Sequence, residues 1–111
     1  MDNIKNDDYY LNKIIENIEF AIEHTDGISF DNFVDDVVLV NAVMFSFIQI
    51  SENVGKLSDA FKASFTDREL HQIKAIRNRI VHEYEIVNEK IIYDTVKNDL
   101  PELLSKIKTR R

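Results

Sequence analysis

The hydrophobic residues of this chain recur at helical spacing, and few residues interrupt that spacing. Leu11, Ile14, Ile15, Ile18 and Ile22 follow the i, i+3, i+4, i+7 pattern of an amphipathic helix. Only two glycines and one proline occur among the 111 residues, so natural positions for sharp turns are rare. Long helices are therefore favoured over a series of short strands.

The first two helices are predicted from this spacing and from the residues that flank them. The first should run from about Asp7 to His24, and Gly27 just beyond it suits a left-handed C-terminal position. Asp31 can cap the second, which should run from about Asn32 to Leu57. Between Val37 and Ile50 this helix is apolar nearly all round, which is typical of a helix buried in the core or in an oligomer interface.

Two further helices complete the predicted fold. Thr66 begins the Thr-x-x-Glu pattern of a capping box, and the third helix should run from there to about Tyr84. The fourth should begin near Asn88 and be kinked or restarted near Pro101. No linker or internal repeat divides the chain, so residues 1–111 are predicted to form one all-α domain, an antiparallel four-helix bundle.

Composition limits the environment and the partners. The polar N-terminus lacks the apolar segment of a signal peptide, and the apolar run from Val37 to Ile50 is shorter than the roughly 20 residues of a membrane span. We therefore expect a cytoplasmic protein without membrane contact. The absence of cysteine excludes disulfides and thiolate metal sites. A net charge of −6 argues against general phosphate binding, although it does not exclude a local basic site.

The third helix contains an arginine where its pattern calls for an apolar residue. A helical projection places the apolar residues on one side, which should pack inward: Leu70, Ile73, Ile76, Ile80, Val81 and Tyr84. Arg77 lies among them, and a guanidinium there needs an anionic partner, for which Glu52 is available. A structural salt bridge, or an arginine whose stem packs while its head reaches solvent, would explain it without any function.

The polar side of the same helix aligns His71, Asn78 and His82. The two histidines are too far apart for a convincing metal site and no third ligand is evident, so no metal is predicted. His71 is interpreted as a surface residue, whereas His82 could be a surface or a catalytic group. The helix is also locally basic, because Arg68, Lys74, Arg77 and Arg79 fall within twelve positions.

The segment RNRIVHEY, from Arg77 to Tyr84, resembles the R-x4-H-x-Y signature of HepT-like proteins of the HEPN superfamily. Arg77, Asn78, His82 and Tyr84 occupy the signature positions, while Glu83 stands where many relatives carry glycine. The segments SENVGKLSDAF and TVKNDLPELLSKI also resemble the family's second and last helices. The resemblance thus covers nearly the whole chain and agrees with four helices.

The resemblance implies a homodimeric toxin that cleaves RNA, either mRNA or tRNA, without a metal or cofactor. It also implies a minimal nucleotidyltransferase antitoxin that silences the toxin by transferring AMP to Tyr84. The residue types suit this chemistry, with His82 as the acid or base, Arg77 as the phosphate clamp and Asn78 as the orienting group. Glu52, Lys74 and Arg79 would support the site.

Helix geometry adds one constraint to these roles. Arg77 and His82 are five residues apart, which places them about 140° around the helix and about 7.5 Å along it. They can meet one phosphate only if the helix distorts near Val81 or if they come from different subunits. Two other hypotheses remain open at this point: a non-catalytic helical dimer that positions a nucleotidyltransferase or its substrate, and a purely structural bundle.

Overall fold

A computed structural model describes residues 6–83 and 87–110, and its regular structure there is entirely helical. The helices are α1 (Asp7–Thr25), α2 (Phe30–Asp35), α3 (Val37–Gly55), α4 (Asp59–Lys62), α5 (Asp67–His82), α6 (Glu89–Asp94) and α7 (Leu100–Arg110). A π-helical segment, Thr95–Asp99, joins α6 to α7 without a break. The predicted all-α bundle is confirmed, with α1, α3, α5 and the α6–α7 unit as its four long members.

The α1 helix begins at the predicted Asp7 and ends at Thr25, one residue past the predicted end. The Asn6 side chain accepts a hydrogen bond from the Tyr9 N–H and caps the helix. Gly27 ends the following turn with a φ of 72°, a left-handed conformation that glycine adopts without strain. Its predicted role is confirmed.

The predicted second helix is divided into two, so its expected course from Asn32 to Leu57 was wrong. Ser29, rather than Asp31, caps the short α2 by accepting a hydrogen bond from the Asn32 N–H. Asp36 then leaves the helical conformation, and its Oδ1 accepts the Leu39 N–H at 3.0 Å to start α3. The short side chain of aspartate is a good helix cap, which explains why the helix is interrupted at Asp36.

The last helix also begins and distorts where the sequence indicated. Asn88 caps α6, and its Oδ1 accepts the Lys90 N–H at 2.9 Å. The π-helical segment lies directly before Pro101, and the Leu100 N–H bonds to the Thr95 carbonyl. Proline lacks an N–H and its ring crowds the preceding turn, so one wider turn accommodates it without ending the helix. The predicted distortion near Pro101 is confirmed.

The core is formed mainly by α3, which packs between α1 and α5, while α7 and the π-helical segment pack against α1. Ile14, Ile18, Val43 and Ile50 are among the fully buried side chains at its centre. By length and composition alone α3 could cross a membrane. The expectation that the apolar run from Val37 is too short for a membrane span was therefore wrong, because the helix continues to Gly55. A buried core helix of a soluble protein has the same composition, and eight residues of α3 are buried in this bundle.

Candidate functional site

The α5 helix carries the signature residues, and its first turn is fixed by the predicted capping box. The Glu69 N–H donates to Thr66 Oγ1 at 3.1 Å, and the Thr66 N–H donates to Glu69 Oε1 at 2.7 Å. Ile76 and Ile80 are buried against the core as predicted. Val81 is not, since it is 45% exposed. It lies at the margin of the apolar side in the helical projection, so the packing of that side does not cover it.

Arg77 is paired with Glu52 of α3, as predicted. Its Nε and Nη2 both donate to Glu52 Oε1, at 3.0 and 2.7 Å. The Arg77 side chain is 30% exposed and that of Glu52 is 44% exposed. The arginine therefore lies at the border of the core rather than inside it, and its guanidinium can be reached from solvent.

Asn78 also holds this guanidinium in place. Its Oδ1 accepts a hydrogen bond from Arg77 Nη1 at 3.0 Å, so all three nitrogens of the arginine head are engaged. These bonds use three of the five N–H donors of a guanidinium. Two donors remain unused by the described residues, and they belong to a group whose plane is held in place. Such a group is suited to binding an anion such as phosphate.

Arg77 and Asn78 lie in an open groove between α3, α4 and α5, called the Arg77 groove below. Its volume is about 580 Å³, and its polar lining includes Glu52, Lys56, Lys62, Lys74, Arg77 and Asn78. The structure thus brings together four of the predicted site residues, including Lys74. Lys56 and Lys62 were not singled out from the sequence. Their signal was weak, because a lysine near a helix end is common unless its neighbours in space are known.

Other basic residues of α5 do not join this groove. Arg68, His71 and Arg79 line a different depression, which Ile91 of α6 also borders. Arg79 was predicted to support the site, but the helix turns its side chain toward α6 instead. His71 and Asn78, although aligned in the projection, also line different depressions. The basic character of α5 is therefore divided between two faces.

His82 is the last residue of α5 and is exposed. The helix stays regular up to that point, because the Glu83 N–H still donates to the Arg79 carbonyl, at 2.8 Å. No distortion near Val81 turns His82 toward Arg77, so one of the two routes to a shared phosphate is not found in this chain. Tyr84, the predicted acceptor of AMP, lies outside the described residues.

On the opposite side of α5, Glu69 forms an ion pair with Lys106 of α7. Lys106 Nζ donates to both carboxylate oxygens of Glu69, at 2.7 and 2.8 Å. Desolvation by burial acts to raise the pKa of Glu69, but the hydrogen bonds and charge of Lys106 and the bonds from Thr66 outweigh it and lower the pKa. Among the described residues, no three His, Asp or Glu side chains converge as they would around a metal ion.

Comparison with known proteins shows which family this chain resembles. The model of the HepT-like ribonuclease family matches residues 14–110, which is most of the chain. The chain belongs to the HepT-like ribonuclease family. This match includes the HEPN-type signature and every residue of the Arg77 groove.

Several curated proteins resemble this HepT-like chain over nearly its whole length. A protein of Caldanaerobacter subterraneus subsp. tengcongensis that carries a provisional RNase name is 37% identical over 99 residues, covering 89% of this chain and 88% of its own. A similarly named protein of Methanocaldococcus jannaschii is 30% identical, covering 88% and 81%. A probable ribonuclease HepT of Thermococcus cleftensis is 29% identical, covering 92% and 93%. No solved structure gave a significant match.

Proposed function

We propose that this HepT-like protein is a metal-independent endoribonuclease, the toxin of a type II/VII-like toxin–antitoxin pair acting on mRNA or tRNA in the cytoplasm. One observation carries the proposal. Arg77 is held by Glu52 and Asn78 at an open groove, with two N–H donors that none of the described residues uses, in a member of a ribonuclease family. A guanidinium that is fixed in such a groove is suited to binding an RNA phosphate.

The reaction follows from the residue types. The ribose 2′-oxygen attacks the adjacent phosphorus, the bond from phosphorus to the 5′-oxygen breaks, and a 2′,3′-cyclic phosphate and a 5′-hydroxyl are left. The imidazole of His82 takes the 2′-hydroxyl proton or protonates the departing 5′-oxygen. Arg77 neutralises the charge that develops on the phosphoryl oxygens, because a fixed donor needs no rearrangement during the step. The Asn78 amide, with its oxygen bound to Arg77, orients its N–H donors beside that phosphate.

The site requires two subunits in this proposal. Arg77 and His82 diverge along a regular α5, so His82 of one subunit would meet the phosphate bound by Arg77 of the other. An exposed stripe on α3 offers a suitable dimer contact: Val38 is 80% exposed and Phe45, seven residues on, is 59% exposed. Glu52 follows Phe45 at the same spacing, so a dimer built on this stripe would bring both Arg77–Glu52 pairs near the shared cleft.

The antitoxin proposed for this pair is a minimal nucleotidyltransferase that modifies Tyr84. The Tyr84 hydroxyl would attack the α-phosphorus of magnesium-bound ATP, forming a tyrosine–AMP bond while pyrophosphate leaves. The attached AMP adds an anionic phosphodiester two residues from His82, where it would repel an incoming RNA backbone. Inhibition would then need no change of fold.

A second candidate function is a non-catalytic dimer that positions a nucleotidyltransferase or its substrate. The observation that favours it is the separation of His82 from Arg77 within one chain, together with a net charge of −6. A binding role would need neither a histidine at the phosphate nor a basic surface over the whole protein.

Cleavage of RNA by the purified protein separates these two functions. We expect wild type to cleave in the presence of EDTA, because no metal ligand is needed, and to leave a cyclic phosphate end. His82→Ala should lower the cleavage rate by about 100-fold or more, the usual contribution of a general acid or base. Its thermal unfolding midpoint should be unchanged, since His82 is exposed.

The matched control is His71→Ala, which changes a second exposed histidine of α5 and should cleave as wild type. A strict magnesium requirement, or a fully active His82→Ala, would overturn the proposed mechanism.

The Tyr84→Phe variant tests the antitoxin. It should retain RNA cleavage but gain no mass when incubated with the nucleotidyltransferase, ATP and magnesium, whereas wild type should gain the mass of AMP. Tyr93→Phe, which removes a hydroxyl that donates to the Ile28 carbonyl elsewhere in the bundle, should be modified as wild type. Equal modification of Tyr84→Phe would show that another residue accepts AMP.

A further inference from the structure

A second groove adjoins the Arg77 groove across the last turns of α3. It lies between α1 and α3, has a volume of about 540 Å³, and is called the α1 groove below. Both grooves are lined by Glu52 and Lys56, so these two residues form their common ridge. Phe45 of the proposed dimer contact lines the other end of the α1 groove, so a ligand bound at Arg77 would continue over this ridge to α1 beside that contact.

The two grooves together are positive in an otherwise acidic chain. Their lining includes five cationic residues, Lys13, Lys56, Lys62, Lys74 and Arg77, against the two carboxylates of Glu16 and Glu52. The whole chain carries a formal charge of −6. Local positive charge of this kind attracts a polyanion to these grooves although the net charge of the chain is negative.

Aromatic rings alternate with these lysines in the α1 groove. Tyr9 is 39% exposed and meets Tyr10 edge to face, with ring centroids 5.3 Å apart. Lys13 Nζ lies 5.8 Å from the Tyr9 ring centre, and Lys56 Nζ lies 5.9 Å from that of Tyr10. Rings provide stacking surfaces for bases and lysines bind the phosphates between them, which is the common arrangement of single-stranded nucleic-acid sites.

We propose that the α1 groove binds the part of a single-stranded RNA substrate that flanks the phosphate held by Arg77. The inference rests on the proposed ribonuclease function and adds binding residues to it: the exposed Tyr9 ring stacks on an unpaired base, while Lys13 and Lys56 of this groove and Lys62 of the Arg77 groove bind backbone phosphates. Unpaired RNA fits better than a duplex, because bases inside a duplex already stack on each other and leave no face for tyrosine.

Binding can be measured without cleavage in the His82→Ala background. The probe is a short fluorescein-labelled single-stranded RNA of mixed sequence, followed by anisotropy at several salt concentrations. Lys13→Gln with Lys56→Gln should weaken binding about tenfold at low salt and reduce the slope of log K against log salt by about 1.4, or about 0.7 for each lost phosphate contact. Tyr9→Leu should weaken binding about fivefold with an unchanged salt slope, because stacking carries no charge.

The control is Lys90→Gln, which removes one lysine from α6, away from both grooves. It should bind as the parent protein does. In the cleavage-competent background, the groove variants should show their loss as a higher KM for single-stranded RNA.

Three results would overturn the inference. The first is unchanged affinity in the groove variants, and the second is an equal loss in Lys90→Gln. The third is a change of oligomeric mass in the groove variants, which would make the groove a contact between subunits. Failure of the ribonuclease proposal looks different: wild type would not cleave RNA, while the binding measurements would still report on the groove.

Discussion

Two ion pairs of the α5 helix, one on each side, differ in which hydrogen-bond donors they leave available to a ligand. On the α3 side, Arg77 meets Glu52 with side chains 30% and 44% exposed. On the α7 side, Lys106 meets Glu69 with side chains 26% and 29% exposed, and the N–O distance is 2.7 Å in both pairs. By distance alone the two would be equivalent.

The difference lies in how the hydrogen-bonding groups are used. Both oxygens of Glu69 bind Lys106, and one also accepts the Thr66 N–H, so this pair ties α7 to the capped start of α5. Arg77 directs two nitrogens to a single oxygen of Glu52 and a third to Asn78, and two of its five N–H donors stay unused by the described residues. The Glu69 pair is consistent with a structural role, whereas the Arg77 pair retains the capacity to bind a ligand.

The largest expected contrast comes from removing the cation of each pair. Arg77→Ala should lower RNA cleavage by about 100-fold or more, because it removes a fixed donor to the reacting phosphate. Its stability cost should stay near 1 kcal/mol or below, since the Glu52 carboxylate left behind is 44% exposed. Lys106→Ala should cost a similar amount of stability and leave cleavage unchanged. Urea unfolding and a cleavage assay on both variants make the comparison, and equal activity losses would remove the distinction.

A second contrast concerns the need for a partner subunit. If the site that contains Arg77 cleaves RNA only in a dimer, Val38→Glu should abolish cleavage. The same variant should also change the protein from a dimer, with twice the 13.0 kDa chain mass, to a monomer. The substituted side chain is 80% exposed, so the helical content should not change. Light scattering at micromolar concentration is the measurement, with Thr109→Glu on the exposed side of α7 as the control. A wild-type mass near one chain would contradict the two-subunit site.

The smallest expected effect is the pH dependence of the Glu69 pair. Because the folded-state pKa of Glu69 is lowered, ionised Glu69 stabilises the fold at neutral pH, and this contribution is lost as the pH falls through the lowered pKa. Glu69→Gln should therefore be less stable than wild type by about 1 kcal/mol or less at pH 7, with the difference disappearing in acid. Denaturant unfolding at both pH values measures it. A difference that persisted in acid would indicate loss of the cap geometry rather than of charge.

The sequence predicted the anomalous residue and its partner well because both depend on local geometry. Arg77 interrupts an apolar helical face, and the nearest acid at the end of the preceding long helix is Glu52. Lys56 and Lys62 could not be recognised in the same way. They approach Arg77 only through the packing of α3, α4 and α5 around one groove.

Sequence by itself determined the all-α class, the start and distortion of the last helix, the capping box of α5 and the signature that identifies the family. These features depend on backbone groups and side chains within one or two turns of each other, where spacing along the chain sets distance in space. Tertiary structure alone decided that α3 packs between α1 and α5, that Arg79 lines a depression with Ile91 of α6, and that Lys56, just past α3, and Lys62 of α4 line one groove with Arg77. Those outcomes depend on how helices cross, which is set by packing among residues far apart in the chain.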